Sequence, residues 1–297
     1  MAVVTVDSWT GREAALLRQA LRMSLREFAR HLGVAERTVS YWERSGDTIV
    51  PRYESQAILD ACLATAGGDA QRRFKGRLSG LDRVPLDDVA TVWHPVDGKA
   101  MVKVGAGDYL CGTDNRVQWM DEFYVDVTPV TNAEYMDFVS ATGHHVPRHW
   151  IDECVPAGLE NHPVVYVTYS DAVAYATWAQ KQLPTCYQWE KSARGESGNA
   201  YPWGDQPTAA KCNVRQSRIG STTPVYRYHS GTSEYGVYDL AGNVWEWCST
   251  DTGNGRYVLK GSAFTSPFAQ AAGTAVNDAA PTTCDDDIGF RTVADSL

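Results

Sequence analysis

The run Gly236-Val237-Tyr238-Asp239-Leu240-Ala241-Gly242-Asn243-Val244-Trp245-Glu246-Trp247 decides the fold of this 297-residue chain. Its two glycines admit backbone that other residues resist, and its two tryptophans flank one carboxylate. Oxygen donors at Asp239 and Glu246, with carbonyls between them, suit a hard cation such as calcium. The competing reading is a buried aromatic turn in which Glu246 is hydrogen-bonded to backbone, since buried acids are paired or hydrogen-bonded.

Upstream of this run, from about Trp93, short apolar stretches such as MVKVGAGDYLCG and EFYVDVTPVT alternate with glycine and polar turns. Three helices are expected among them. One runs from Asn132 to Ala141 with Thr131 as cap, one from Ser170 to Lys181 with Ser170 as cap, and one from Cys186 to Arg194. The rest is glycine-rich, aromatic and extended. This is an α+β pattern with much irregular backbone.

Charge divides the chain. Residues 1–84 hold 13 basic and 10 acidic groups, net +3, and the remainder holds 14 and 26, net −12. Only the first segment suits a polyanion. Seven cysteines stand far apart, which fits reduced thiols better than a disulfide framework or a zinc site. No 18-residue apolar run exists and the first residues lack a leader pattern, so a cytoplasmic protein without a membrane span is expected.

In the first segment Leu16, Leu17, Ala20 and Leu21 recur at helical spacing, as do Leu25, Phe28, Ala29 and Leu32. Ser24 and Glu27 form a capping box for the second helix, and Gly33 ends it. Residues 35–44 make a third helix with Val39 and Trp42 inward, and a fourth spans roughly Tyr53 to Ala66. The string LREFARHLGVAERTVSYWER resembles the XRE/Cro/lambda-repressor helix-turn-helix family over about residues 11–66. The resemblance implies DNA as partner, a homodimer, and Arg37, Thr38, Ser40, Tyr41 and Arg44 facing bases and phosphates. Ala35 departs from the usual Ser or Thr cap, and Glu36 and Glu43 lower the positive field; a helical adaptor for protein is the alternative. Residues 67–92 are expected to be a connector, in which Arg72, Arg73, Lys75 and Arg77 offer phosphate contacts. The domains are thus 1–66, 67–92 and 93–297.

The second domain carries, in order, PVTNAEYMDFV, PRHW, ENHPVVYVTYSDAVAYATWAQKQLPT, WEKSARG, YPWGD, TTPV, YGVYDLAGNVWEW, YVLKGSAF and DDDIGFRTV. Together these resemble the formylglycine-generating enzyme (sulfatase-modifying factor) family, which has a C-type-lectin-like fold. That resemblance implies a structural calcium bound by Asp239 and Glu246 side chains and Gly242 and Val244 carbonyls. A second family site matches Asn213 and Val214. Family enzymes also hold copper in a C-x4-C thiolate pair just after the strand matching YVLKGSAF. Here Ser266, Ala269 and Ala271 occupy that neighbourhood, so no copper and no formylglycine formation are expected.

Residues 261–290 contain no Lys or Arg, and small neutral groups flank Phe264 and Phe268. Phe264, Ser266 and Phe268 are therefore the expected lining of an uncharged surface for an unknown ligand or protein partner. His144, His145 and His149 read as loop residues rather than a metal site. The expected function is a DNA-binding or adaptor helix-turn-helix protein with a non-catalytic recognition domain. A metal-dependent oxidoreductase with an altered site and a retroelement-diversified or defence-associated lectin-fold binder are the alternatives.

Overall fold

A computed structural model describes residues 6, 9–21, 23–68, 70, 71, 74, 78 and 91–297. The chain divides into two units, Met1–Val84 and Pro85–Leu297.

The first unit is helical: α1 (Gly11–Ala20), α2 (Leu25–Leu32), α3 (Glu36–Ser45) and α4 (Tyr53–Thr65). Ser24 caps α2 as the sequence indicates. Its Oγ accepts from the Glu27 amide while its own amide donates to the Glu27 carboxylate, and Gly33 closes the helix at φ 70°. Thr10 and Glu13 form a similar box at α1, and Ala35 gives α3 no side-chain cap. Trp9, Leu17, Phe28, Leu32, Val39, Trp42 and Leu59 make the core. Gly11 lets α1 approach α3, since a Cβ there would lie 2.0 Å from the Trp42 carbonyl oxygen.

The expected connector over 67–92 is corrected at both ends. Phe74 is fully buried and stacks on Trp9 at 5.5 Å, and Gln71 donates to the Leu63 carbonyl. Removing that ring from water stabilises the helical unit by roughly 1.5–3 kcal/mol. β1 (Thr91–Trp93) also starts inside the expected connector. Arg72, Arg73, Lys75 and Arg77 lie outside the described residues.

The second unit mixes helix and sheet. β1, β2 (Ala100–Val104), β5 (Phe123–Asp126) and β10 (Val293–Ala294) form an antiparallel sheet in the order β1-β2-β5-β10, so the first and last strands of the unit share one sheet. β3 (Gly107–Cys111) and β4 (Arg116–Met120) form a hairpin. A third sheet has the order β8-β7-β6-β9, from β6 (Trp245–Asp251), β7 (Tyr257–Lys260), β8 (Asn277–Ala279) and β9 (Ile288–Gly289), with β6 and β9 parallel.

Three helices pack on these sheets: α5 (Asn132–Thr142), α6 (Tyr169–Trp178) and α7 (Cys186–Arg194). α6 departs from expectation. Thr168, not Ser170, is its cap, because Asp171 three residues on returns the hydrogen bond to the Thr168 amide; Val173 could not do this for Ser170. The helix also ends three residues early, and Lys181 instead inserts between the buried carboxylates of Asp97 and Asp126. Tyr135, Phe138, Trp150, Tyr175, Trp247 and Phe290 centre the core.

Candidate cation and ligand site

The Asp239–Glu246 segment enters β6 through irregular backbone. Asp239 and Asn243 both take the left-handed conformation, at φ 55° and 70°, which non-glycine residues adopt only where the surroundings hold them. Gly242 sits between them at φ 79°, and a Cβ on it would come within 2.4 Å of the Asn213 carbonyl oxygen. That close approach is a bridge between Asn213 and Gly242, closed by the Asn243 amide donating to the Asn213 carbonyl at 2.8 Å. The fold thus brings together two stretches that are 30 residues apart in sequence, both expected to bind cations.

Asn243 is the hub. Its Oδ1 accepts from the Thr223 amide (2.9 Å) and Asn213 Nδ2 (3.2 Å), and its Nδ2 donates to the Thr223 carbonyl (3.1 Å) and Asp239 Oδ2 (2.9 Å). Asp239 Oδ1 is buried without a hydrogen-bond partner. Burial pushes its carboxyl up to about 8, against the Asn243 hydrogen bond and Arg291, which favour the anion, and with Glu246, which opposes it. An orphaned, buried carboxylate oxygen is the feature that a bound cation would satisfy.

Glu246 is placed differently from expectation. It is fully buried, and Arg291 forks onto it through Nε at 2.6 Å and Nη2 at 2.7 Å, with Trp189 Nε1 adding a third bond at 2.7 Å. The guanidinium already balances its charge, which corrects Glu246 as a free cation ligand. The remaining arginine donors go to the Tyr238 and Asp126 carbonyls, so Arg291 ties the segment to the first sheet. The Gly242 carbonyl accepts from the Val244 amide, the Val214 carbonyl accepts from the Ser217 amide, and Asn213 Oδ1 accepts from Ser217 Oγ. Of the side chains expected to donate, Asp239 alone has a buried oxygen without a partner; the fit to calcium rests there.

The family model for the sulfatase-modifying factor enzyme 1-like domain matches residues 89–296. The chain belongs to this family. It is 35% identical over 181 residues to the formylglycine-generating enzyme of Streptomyces coelicolor, covering 43% of this chain and 57% of that protein. With the formylglycine-generating enzyme of Bos taurus it shares 30% identity over 280 residues, 70% of this chain and 73% of the relative. Among solved structures, PvdO from Pseudomonas aeruginosa aligns with a TM-score of 0.59 at 22% identity, over 70% of this chain and 98% of that one. The chain thus spans little more than half of the Streptomyces relative's length.

Within this sulfatase-modifying-factor-like unit, the expected ligand surface after β7 is corrected. Phe264 and Ser266 are buried: the Phe264 amide donates to the Asn243 carbonyl, and the Ser266 carbonyl accepts from the Arg215 amide. Phe268 is half-buried and stacks on Tyr201 at 5.1 Å, which in turn stacks on Trp203 at 5.2 Å. These main-chain bonds and ring stacks hold the loops together. Ala271 is likewise buried. Three of the thiols elsewhere are poor thiolate donors: burial pushes Cys62 up to about 11 and Cys212 up to about 12, and also raises Cys248 well above its ordinary value, and a metal ligand must be the thiolate.

In the helical unit, Arg37, Tyr41 and Arg44 of α3 are exposed and Thr38 and Ser40 half-exposed, while Val39 and Trp42 are buried. Glu43 is paired with Arg18 at 2.6 Å, so its charge is compensated locally. The sequence reasoning missed Arg291 and Asn243. Both stand inside quoted motifs, but only the three-dimensional bridge shows what they bind.

Proposed function

We propose that the second unit is a non-oxidising binding scaffold of the sulfatase-modifying factor family and that the first unit reads DNA through α3. The observation that carries the first half is the stretch after β7: residues 261–283 contain no cysteine, so no C-x4-C pair stands there. Burial, which holds the Cys62, Cys212 and Cys248 thiols above their ordinary range, supports the same reading. Asp239 holds a structural calcium in this proposal, and Arg37, Thr38, Ser40, Tyr41 and Arg44 form the DNA-facing surface of a homodimer. Copper analysis joined to oxygen uptake with a cysteine-bearing peptide tests it: stoichiometric copper with thiol-dependent oxygen consumption would restore an oxidase.

A second reading of the helical unit draws on Tyr41, Val50 and Tyr53, which are 53%, 55% and 87% exposed. Exposed apolar groups of this size favour a protein partner. Binding to duplex DNA that weakens steeply with salt supports the DNA reading; salt-insensitive or undetectable DNA binding supports the adaptor.

A further inference from the structure

Three ligating side chains converge at a place outside the region described above. Gly143 ends α5 in the left-handed conformation and turns the chain so that His144 and His145 reach the start of α6. There Asp171 serves two purposes. Its Oδ2 accepts from the Thr168 amide and hydroxyl, at 2.8 and 2.7 Å. That leaves Oδ1 facing the two imidazoles, 2.8 Å from His144 Nε2 and 3.1 Å from His145 Nε2.

We propose that His144, His145 and Asp171 form a binding site for a divalent transition-metal ion of the zinc or iron(II) class. One atom from each residue lies within 4.8 Å of the others, a spacing that small side-chain rotations convert to coordination of a single ion. Two imidazole nitrogens and one carboxylate oxygen are the donors that zinc and iron(II) accept, with further positions left for water or ligand. Calcium and magnesium prefer oxygen alone.

Two more observations support a built site. Asp171 is buried and clamped through Oδ2, so Oδ1 is held in place before any ion arrives. His144 is fixed by packing on Phe138 at 4.9 Å and Tyr135 at 6.5 Å, while His145 is 70% exposed on the solvent side. The two rings lie 4.3 Å apart and share one carboxylate oxygen, so two nitrogens and one oxygen face a common point. His149, their neighbour in sequence, turns away to Tyr166 at 5.1 Å and does not join them. His144 also lines a surface groove with Phe138, Thr142, Ala174, Thr177 and Trp178, which places any open coordination position beside an apolar wall.

The test uses the untagged full chain, equilibrium dialysis against Zn2+, and Co2+ as a spectroscopic replacement. One equivalent is expected to bind, with visible cobalt bands of a nitrogen and oxygen site. His145→Ala, whose ring is exposed and does not support the fold, is expected to weaken binding about 10–100-fold or more, by analogy with the loss seen when supporting groups of metal sites are removed. His144→Ala is expected to do the same, and His31→Ala on α2 to leave binding unchanged. No bound Zn2+ at 0.1 mM (about the weakest affinity of interest at −5 to −6 kcal/mol), a change under twofold in His145→Ala, or an intense sulfur-to-cobalt charge-transfer band would each overturn the assignment.

Discussion

Asp239→Asn isolates the one buried carboxylate oxygen that, among the described residues, the fold leaves without a partner. In the ion-free protein its carboxyl is raised from 3.8 to about 8. The folded state therefore keeps a proton that the unfolded chain releases above pH 4. An acid raised in this way contributes full stability below its unfolded pKa, and loses it as pH climbs from about 4 to about 8. The slope is about 1.4 kcal/mol per pH unit, or roughly 3 kcal/mol between pH 5 and pH 7. A bound calcium would replace the proton, flatten the slope, and add about 2.7 kcal/mol at a hundredfold excess over its dissociation constant.

The assay is urea unfolding, followed by tryptophan fluorescence, at pH 5, 6, 7 and 8, with chelator or with calcium. Histidines titrate in the same window, so the readout is the difference between wild type and Asp239→Asn. With chelator the wild type should fall relative to the variant as pH rises. With calcium the wild type alone should gain stability. An unchanging difference across pH would refute the argument from burial, and equal calcium stabilisation of both proteins would refute Asp239 as the ligand.

Other perturbations follow from the same geometry. Arg291→Ala strands the buried Glu246 carboxylate and should cost about 3–5 kcal/mol of unfolding free energy, with Glu246→Gln in the same chain recovering part of it; a loss under 1 kcal/mol would contradict the pairing. Thr168→Ala should cost about 1 kcal/mol by removing the α6 cap, whereas Ser170→Ala should stay within about 0.5 kcal/mol, and thermal unfolding of the two variants distinguishes the observed cap from the one expected from sequence. In mobility-shift titrations, Arg37→Ala should weaken DNA binding and reduce the salt slope by about 1; an unchanged slope would remove Arg37 from the interface.

Local hydrogen-bond logic made some elements legible in advance. Ser24 with Glu27, and Thr131 at the head of α5, each announce a helix because both halves of the capping bond lie within four residues. The misplacement of the α6 cap obeys the same logic: Thr168 and Ser170 are equally good caps by type, and only the acid at 171 decides between them. Glu246 shows where such reasoning stops. Its partner Arg291 is 45 residues away, and a carboxylate between two tryptophans reads equally well as a cation ligand or as half of an ion pair. Phe264 and Ser266 were misplaced for a related reason, since a stretch without charge describes a solvent-facing pocket and a buried loop in the same letters.

The two buried acids of this segment then divide the work. Glu246 has its counter-charge built into the chain as Arg291, and the pair locks β6 to the first sheet. Asp239 has only an asparagine amide on one oxygen, and an amide brings no charge. A fold that balances one acid with a guanidinium and leaves the next, seven residues earlier, without a cation is complete at the first and incomplete at the second. That contrast within one segment, rather than the count of oxygen atoms in it, is the physical argument for an ion at Asp239.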